Sequence, residues 1–344
     1  MVTYVIRRLL VTIPLLLIAS VIVFAIMKAA PGNYCTSLQL QDQALYEQCV
    51  EMTGLDRPLP LQYTQWITGI ATELDFGYSF ENQQPVLDQL FTAGDWQSGT
   101  PLFWTLVLSV GTMVLSWLVA LPLGIYAATH RGSWKDWGIN LMGLVGLSIP
   151  SFFLAIAVLW LLVAVFHVGD VCWPSQQLGE DVCLGVSGLF SSGFVDAPWS
   201  LEKLLDLLWH LWPAVLVIAA GNVAAIVRYV RNEMLNVLGE PYVRTARAKG
   251  VSERVIVWKH ALKNALNPLI SMLGYWLPSM FEGALVAAMI LQLPTVERVY
   301  WTALNSGDQY VVMAGLLFFS AILIVGNLVA DLLLAWANPR LRYQ

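Results

Sequence analysis

Six stretches of the chain, 9–27, 102–128, 139–166, 207–227, 269–293 and 311–337, are apolar over about the length a helix needs to cross a bilayer. Nothing else in the sequence constrains the fold so strongly. Hydrocarbon offers the backbone no water, so each stretch must satisfy its own N–H and C=O groups as a helix. The period-two alternation of a membrane β-barrel is absent. Composition agrees: 58% of the 344 residues are hydrophobic and 12% charged, against about 45–50% and about 25% in soluble domains. The predicted fold is all-α, a polytopic membrane protein with six transmembrane helices. The first stretch follows Arg7 and Arg8, yet it is longer than the roughly 7–15 residues of a secretory signal core, so it reads as an anchor.

Six crossings put both termini on one side of the membrane. With the N-terminus inside, the inner segments hold 14 of the 18 lysines and arginines. Positive charge prefers the cytoplasmic face, so both termini are expected there. Acidic residues do the opposite: 17 fall outside and four inside, with Glu282 and Asp331 at membrane depth. The net charge of −5 therefore averages an acidic outside with a basic inside. It points to no nucleic-acid partner.

The chain divides into an N-terminal segment with the first helix (1–30), an outer loop or cap (31–100), a helical core (101–337) and a short inner tail (338–344). Within the core lie an outer loop (167–206) and a basic inner loop (228–266). The four cysteines, Cys35, Cys49, Cys172 and Cys183, all fall in outer segments. An even count in an oxidising compartment suggests disulfides. Of the three possible connectivities, the local pairs Cys35–Cys49 and Cys172–Cys183 are favoured over the crossed ones and over four free thiols.

Several chemistries lack their motifs. No Gly-Lys dipeptide occurs, so the chain has no phosphate-cradling P-loop. There is no His-Glu-x-x-His, the four histidines are scattered, and no metal-ligand cluster or Gly-x-Ser-x-Gly elbow is present. No residue is assigned a catalytic, metal or cofactor-binding role.

The informative segment is the inner loop. Pro241 suits the first turn of a helix and Gly250 its end. Between them Tyr242, Val243 and Ala246 fall on one side of a helix too short and too polar to span. Such a helix can lie at the inner surface and dock a partner; its basic residues could equally serve topology or meet anionic lipid.

The residues then carry a resemblance. The run Tyr242, Val243, Arg244, Thr245, Ala246, Arg247, Ala248, Lys249, Gly250, followed by Lys259-His-Ala-Leu-Lys-Asn-Ala-Leu-Asn-Pro268, resembles the signature cytoplasmic loop of the dipeptide, oligopeptide and nickel permease family of ATP-binding-cassette importers. Further matches are Arg7-Arg-Leu-Leu10 with Pro14, Ala30-Pro-Gly32, Gly54-Leu-Asp-Arg-Pro-Leu-Pro60 and Phe76-Gly-Tyr-Ser79. The general importer pattern opens Glu-Ala-Ala; aligned on Gly250, this chain has Arg244-Thr245-Ala246, as peptide-type members commonly do. The resemblance implies a type I importer permease fold in the bacterial inner membrane and a coupling helix that enters a cleft of an ATPase. It also implies four partners: a second, similar permease subunit, two ATP-binding-cassette ATPases carrying ATP and Mg, and an extracytoplasmic substrate-binding protein. Short peptides are the leading substrate, with nickel, oligosaccharides and other small solutes carried by close relatives.

At membrane depth a charge costs about 2.5–3.5 kcal/mol on insertion scales, so Glu282 and Asp331 should face protein, partner or water. Either could line a translocation route, Glu282 by attracting a cationic substrate group, or serve as a polar contact between helices. Pro150, Pro213, Pro268 and Pro278 interrupt long apolar stretches and are expected to bend or shape them. A reading from another class, a self-sufficient secondary transporter or channel, would need its own coupling carboxylates and usually repeated halves. An intramembrane enzyme would need a nucleophile–base pair at depth, and none is found.

Overall fold

The computed structural model describes residues 2–30, 35–36, 42–79, 81–92 and 99–337; the side chains of 2–9, 52–53, 92, 272–284 and 334–337 lie outside that description. Its long helices follow the apolar stretches. α1 is Val2–Ala29, α4 Pro101–Thr129, α7 Leu201–Leu238 and α11 Gln309–Ala337, and each contains a segment long and apolar enough to cross a membrane. The stretch around 269–293 is the 29-residue helix α9, Leu262–Ile290. Its middle side chains are among those not described, so its apolar character is read from the sequence.

The third stretch departs from a continuous span. It is a pair, α5 (Trp134–Ser148) and α6 (Ser151–Trp160), meeting at 97°. Pro150 causes the break. It has no N–H to donate, and its ring disfavours helical geometry at the residue before it. Ile149 accordingly sits at φ −85°, ψ 118° and Pro150 at φ −59°, ψ 137°. Counted as one broken span, the pair brings the number of crossings scored among the described residues to five.

The most extensive helix pairing is α4 with α7. Along α4 the buried residues Ser109, Thr112, Ser116, Ala120 and Gly124 recur every three or four positions, which sets small side chains in one row. Small residues let two backbones approach closely, the means by which helices associate where lipid removes the hydrophobic drive. The approach is closest at Gly124: a β-carbon there would stand 2.7 Å from Val230 Cβ and 3.0 Å from the Val227 carbonyl oxygen.

Two smaller structures lie between the membrane-spanning helices in the chain. The first begins with α2 (Gln43–Thr53) and α3 (Leu59–Glu73), followed by an antiparallel hairpin of β1 (Tyr78–Ser79) and β2 (Gln84–Pro85). Three contacts fasten it to the bundle. Trp66 of α3 stacks on Phe24 of α1, Tyr63 bonds Ser20 at 2.9 Å, and the buried Asp308 accepts a hydrogen bond from Ser79 Oγ at 2.7 Å. Gly77, at φ +104°, lies so close to Tyr310 that any β-carbon would collide with the ring. The second structure is the hairpin of β3 (Cys172–Pro174) and β4 (Asp181–Cys183). It leads to Lys203 of α7, whose fully buried ammonium donates to the Val195 and Ala197 carbonyls and lies over the rings of Phe190 and Trp199.

Both favoured cysteine pairs are disulfides: Cys35–Cys49 and Cys172–Cys183, the latter bridging β3 and β4 at paired positions.

Between α9 and α11 lies α10, Val296–Ser306. Its Glu297 is 1% exposed and accepts a hydrogen bond from Thr105 of α4 at 2.8 Å. Burial pushes this carboxyl above the ordinary value of 4.5. The fold therefore favours the protonated form. The resulting stabilisation is complete below about pH 4.5 and fades as pH rises through the folded-state value. A Glu297→Gln variant should lose that slope and melt a few degrees above the native chain at pH 8, with the two converging at pH 4. Parallel melting curves at all pH values would remove Glu297 as the source.

Candidate functional site: the basic inner segment

Helix α7 does not stop where its apolar stretch ends but continues to Leu238. The inner loop is therefore mostly helical: α8 (Pro241–Ala248), a turn at Glu253–Val255, a π-helical segment Ile256–Ala261, and then α9. Proline supplies the pre-set φ at the first position of α8. At the other end Gly250 takes φ +76°. Its N–H reaches the Arg247 carbonyl at 2.9 Å, and the Val251 N–H reaches that of Ala246 at 3.2 Å. This pair of bonds is a Schellman closure, which requires a left-handed residue at that position.

The nine predicted residues, Tyr242 to Gly250, are thus brought together on one short element. Val243 is fully buried and Ala246 half-buried, one turn apart, so a single narrow edge faces the bundle. Tyr242, Arg244, Thr245, Arg247, Ala248 and Lys249 are exposed. Although exposed, Tyr242 is held: its hydroxyl accepts from Asn264 Nδ2 at 2.7 Å, tying α8 to the start of α9. Arg247 forms a bidentate pair with Glu253 at 2.5 and 3.2 Å, closing the turn after α8. The guanidinium holds the Glu253 carboxyl below its usual range. Both groups are open to water, so the pair adds about 1 kcal/mol or less.

Beneath this segment lies a hydrophobic cluster that joins four elements: Ile125 and Ala128 of α4, Val227, Val230 and Met234 of α7, Val257 and Ala261 of the π-helical segment, and Leu269 of α9. The two flanks of α8, namely α7 and the π-helical segment that leads into α9, are thus packed into one core.

One positioning contact escaped the sequence reading. Asp136, at the start of α5, receives Arg231 Nε and Nη2 at 2.7 and 2.9 Å, Gly132 N at 3.0 Å and Asn140 Nδ2 at 2.7 Å. Its side chain is 5% exposed. The pair clamps α5 to α7 ten residues before α8 begins. The available signal was that Asp136 is one of only four acidic residues on the inner side; its partner lies 95 positions away. Asp136→Ala would leave the Arg231 charge without its partner at a largely buried site. A loss of about 2–4 kcal/mol is expected, seen as a lower melting temperature of the purified protein, with Asp136→Asn losing less. An unchanged melting temperature in Asp136→Ala would mean that the clamp carries no stability.

Of the two residues predicted at membrane depth, Asp331 is half-buried on α11. Glu282 lies within α9 among the side chains outside the description.

Comparison with known proteins adds to this arrangement. Residues 120–343 match the family described as binding-protein-dependent transport system inner membrane component. Residues 1–96 match the corresponding N-terminal family. The oligopeptide transport system permease protein AppB of Bacillus subtilis is 33% identical over 345 residues, covering 100% of both chains. The dipeptide transport system permease proteins DppB of Alkalihalophilus pseudofirmus and of Escherichia coli K12 are each 30% identical, again covering 100% of both chains. A helical membrane bundle carrying a short exposed inner helix, matched from end to end by such relatives, belongs to the family of inner-membrane permease components of binding-protein-dependent transport systems.

Proposed function

We propose that this chain forms half of a pathway importing dipeptides or short oligopeptides, with both termini and α8 in the cytoplasm. In this reading α8 inserts into a cleft of a partner ATP-binding-cassette ATPase. A second, homologous permease subunit completes the pathway, two ATPases carry ATP and Mg, and an extracytoplasmic protein delivers the substrate. This chain itself binds no cofactor. ATP binding closes the ATPase pair and drags α8; the shared core under α8 passes the motion to α7 and α9. This is a two-state element biased by contacts made on another subunit. Glu282 and Asp331 are the candidates for polar positions along the route.

The observation that carries the reading is the exposure of α8. It is a helix of eight residues that buries the edge at Val243 and Ala246 and is tied to α9 by the Tyr242–Asn264 bond, while Arg244, Thr245, Ala248 and Lys249 stay exposed. A helix so short has little stability in water without packing, so a partner surface is its natural complement. The peptide substrate rests on the names of the full-length relatives.

The test is uptake of a labelled dipeptide into vesicles containing the purified chain with its second permease, the ATPases and the binding protein. Uptake should require ATP and every partner. Peptide accumulation by the chain alone would overturn the coupling role; ATP-driven uptake of nickel or an oligosaccharide in place of peptide would overturn only the substrate.

A further inference from the structure

Two cavities beside α4 share part of their lining. The larger, about 520 Å³, is lined by apolar residues, among them Met113, Trp117 and Leu121 of α4 and Leu262 and Ile270 of α9. The smaller, about 350 Å³, shares Pro122, Ile125 and Trp258 with it and ends among Tyr126, Thr129 and Arg254. Together they form a trough, greasy along most of its length and polar at the end near the basic inner segment.

The charge at that end is positive. Glu253 also lines it, but its carboxylate is taken up by Arg247. Arg254 is exposed and has no ion-pair partner among the described residues. Across the trough, Tyr126 stacks on His130 with ring centroids 4.2 Å apart, and Lys135 Nζ lies 5.6 Å from the same tyrosine ring. Arg254 and Lys135 therefore flank the polar end, and the one carboxylate among its described lining residues, Glu253, is paired.

The dimensions match one leaflet. From Met113 to Ile125 the helix rises about 18 Å, and half the hydrocarbon layer is about 15 Å. Trp258, 57% exposed, borders both cavities from the π-helical segment that follows α8. Tryptophan favours the level where hydrocarbon meets headgroups, which sets the polar end at headgroup depth.

We propose that this trough is a binding site for an anionic phospholipid of the leaflet on the α8 side. One acyl chain lies against Met113, Trp117 and Leu121, and the phosphate is held by Arg254 at the end that Tyr126 also lines. The lipid then wedges between α4 and the π-helical segment, and so supports the same core that seats α8.

The experiment is native mass spectrometry of the assembled transporter, purified from bilayers of equal parts dioleoylphosphatidylglycerol and dioleoylphosphatidylethanolamine. About one phosphatidylglycerol should be retained per copy of this chain. Retention should fall about tenfold in Arg254→Glu and persist in Arg254→Lys. Leu121→Trp, which fills the trough from its apolar end, should lower retention independently, and it stands as the test should the charge reversal fail to assemble. Equal retention of the two lipids, unaffected by either variant, would overturn the proposal. So would a photo-crosslinker at Leu118 that captured the second permease subunit instead of lipid.

Discussion

A valine at position 124 should prevent a stable bundle from forming. The added β-carbon would stand 2.7 Å from Val230 Cβ and 3.0 Å from the Val227 carbonyl oxygen. One of those neighbours is backbone and cannot rotate away. The two helices must separate, and α4 with α7 is the most extensive pairing in the fold. Ordinary overpacking costs about 1–3 kcal/mol, and a forced separation loses contacts along the whole seam in addition. Gly124→Val should therefore yield little monodisperse protein on size exclusion. Gly124→Val with Val230→Ala, which frees the space of one side chain, should recover part of it. Native-like yield and melting of the single variant would show that the two helices are less tightly joined than these distances require. The double variant separates a local clash from a general intolerance of α4.

Gly250→Val should have the opposite profile, leaving the bundle intact and removing transport. Nothing lies within 4 Å of where a β-carbon would project, so no collision arises. The penalty is in the backbone: φ is +76°, and the left-handed region costs a non-glycine residue about 1–2 kcal/mol, more when it is β-branched. That cost falls on the Schellman closure which ends α8 and aims its exposed face. A strain of this size shifts a two-state balance about tenfold. Substrate-stimulated ATP hydrolysis by the assembled transporter should drop by about that factor while expression and melting stay near native. Gly250→Asn should lie between, because asparagine tolerates the left-handed region. Full stimulation in Gly250→Val would remove the α8 terminus from the coupling role.

The two glycines were not equally readable. Gly250 follows a proline-initiated polar helix, and the bonds that demand its geometry involve residues within four positions of it. Gly124 lies in a run of apolar residues with nothing local to mark it; its constraint is set by Val227 and Val230, more than a hundred positions away. The prolines make the same point. Pro150 and Pro213 both interrupt apolar stretches, yet α7 runs through Pro213 while the third span breaks at Pro150. Pro213 is buried within the packing of α7, whereas Pro150 is exposed. Burial alone does not decide the outcome, because Pro14 and Pro122 are exposed and lie inside the continuous α1 and α4; where a helix breaks is set by the packing around it, which a lone proline in the sequence does not show.

Sequence by itself determined what depends on short range or on solvent preference: the all-helical membrane class, the apolar stretches, the local cysteine pairs, and the bounds of α8. Tertiary structure alone decided which residues meet across the bundle. The Asp136–Arg231 clamp, the bond from Thr105 to Glu297 and the seat of the outer hairpin on Asp308 join positions 95, 192 and 229 apart. A hydrophobic pattern specifies that a face is buried and leaves open against what; only the close fit of helix on helix selects the partner.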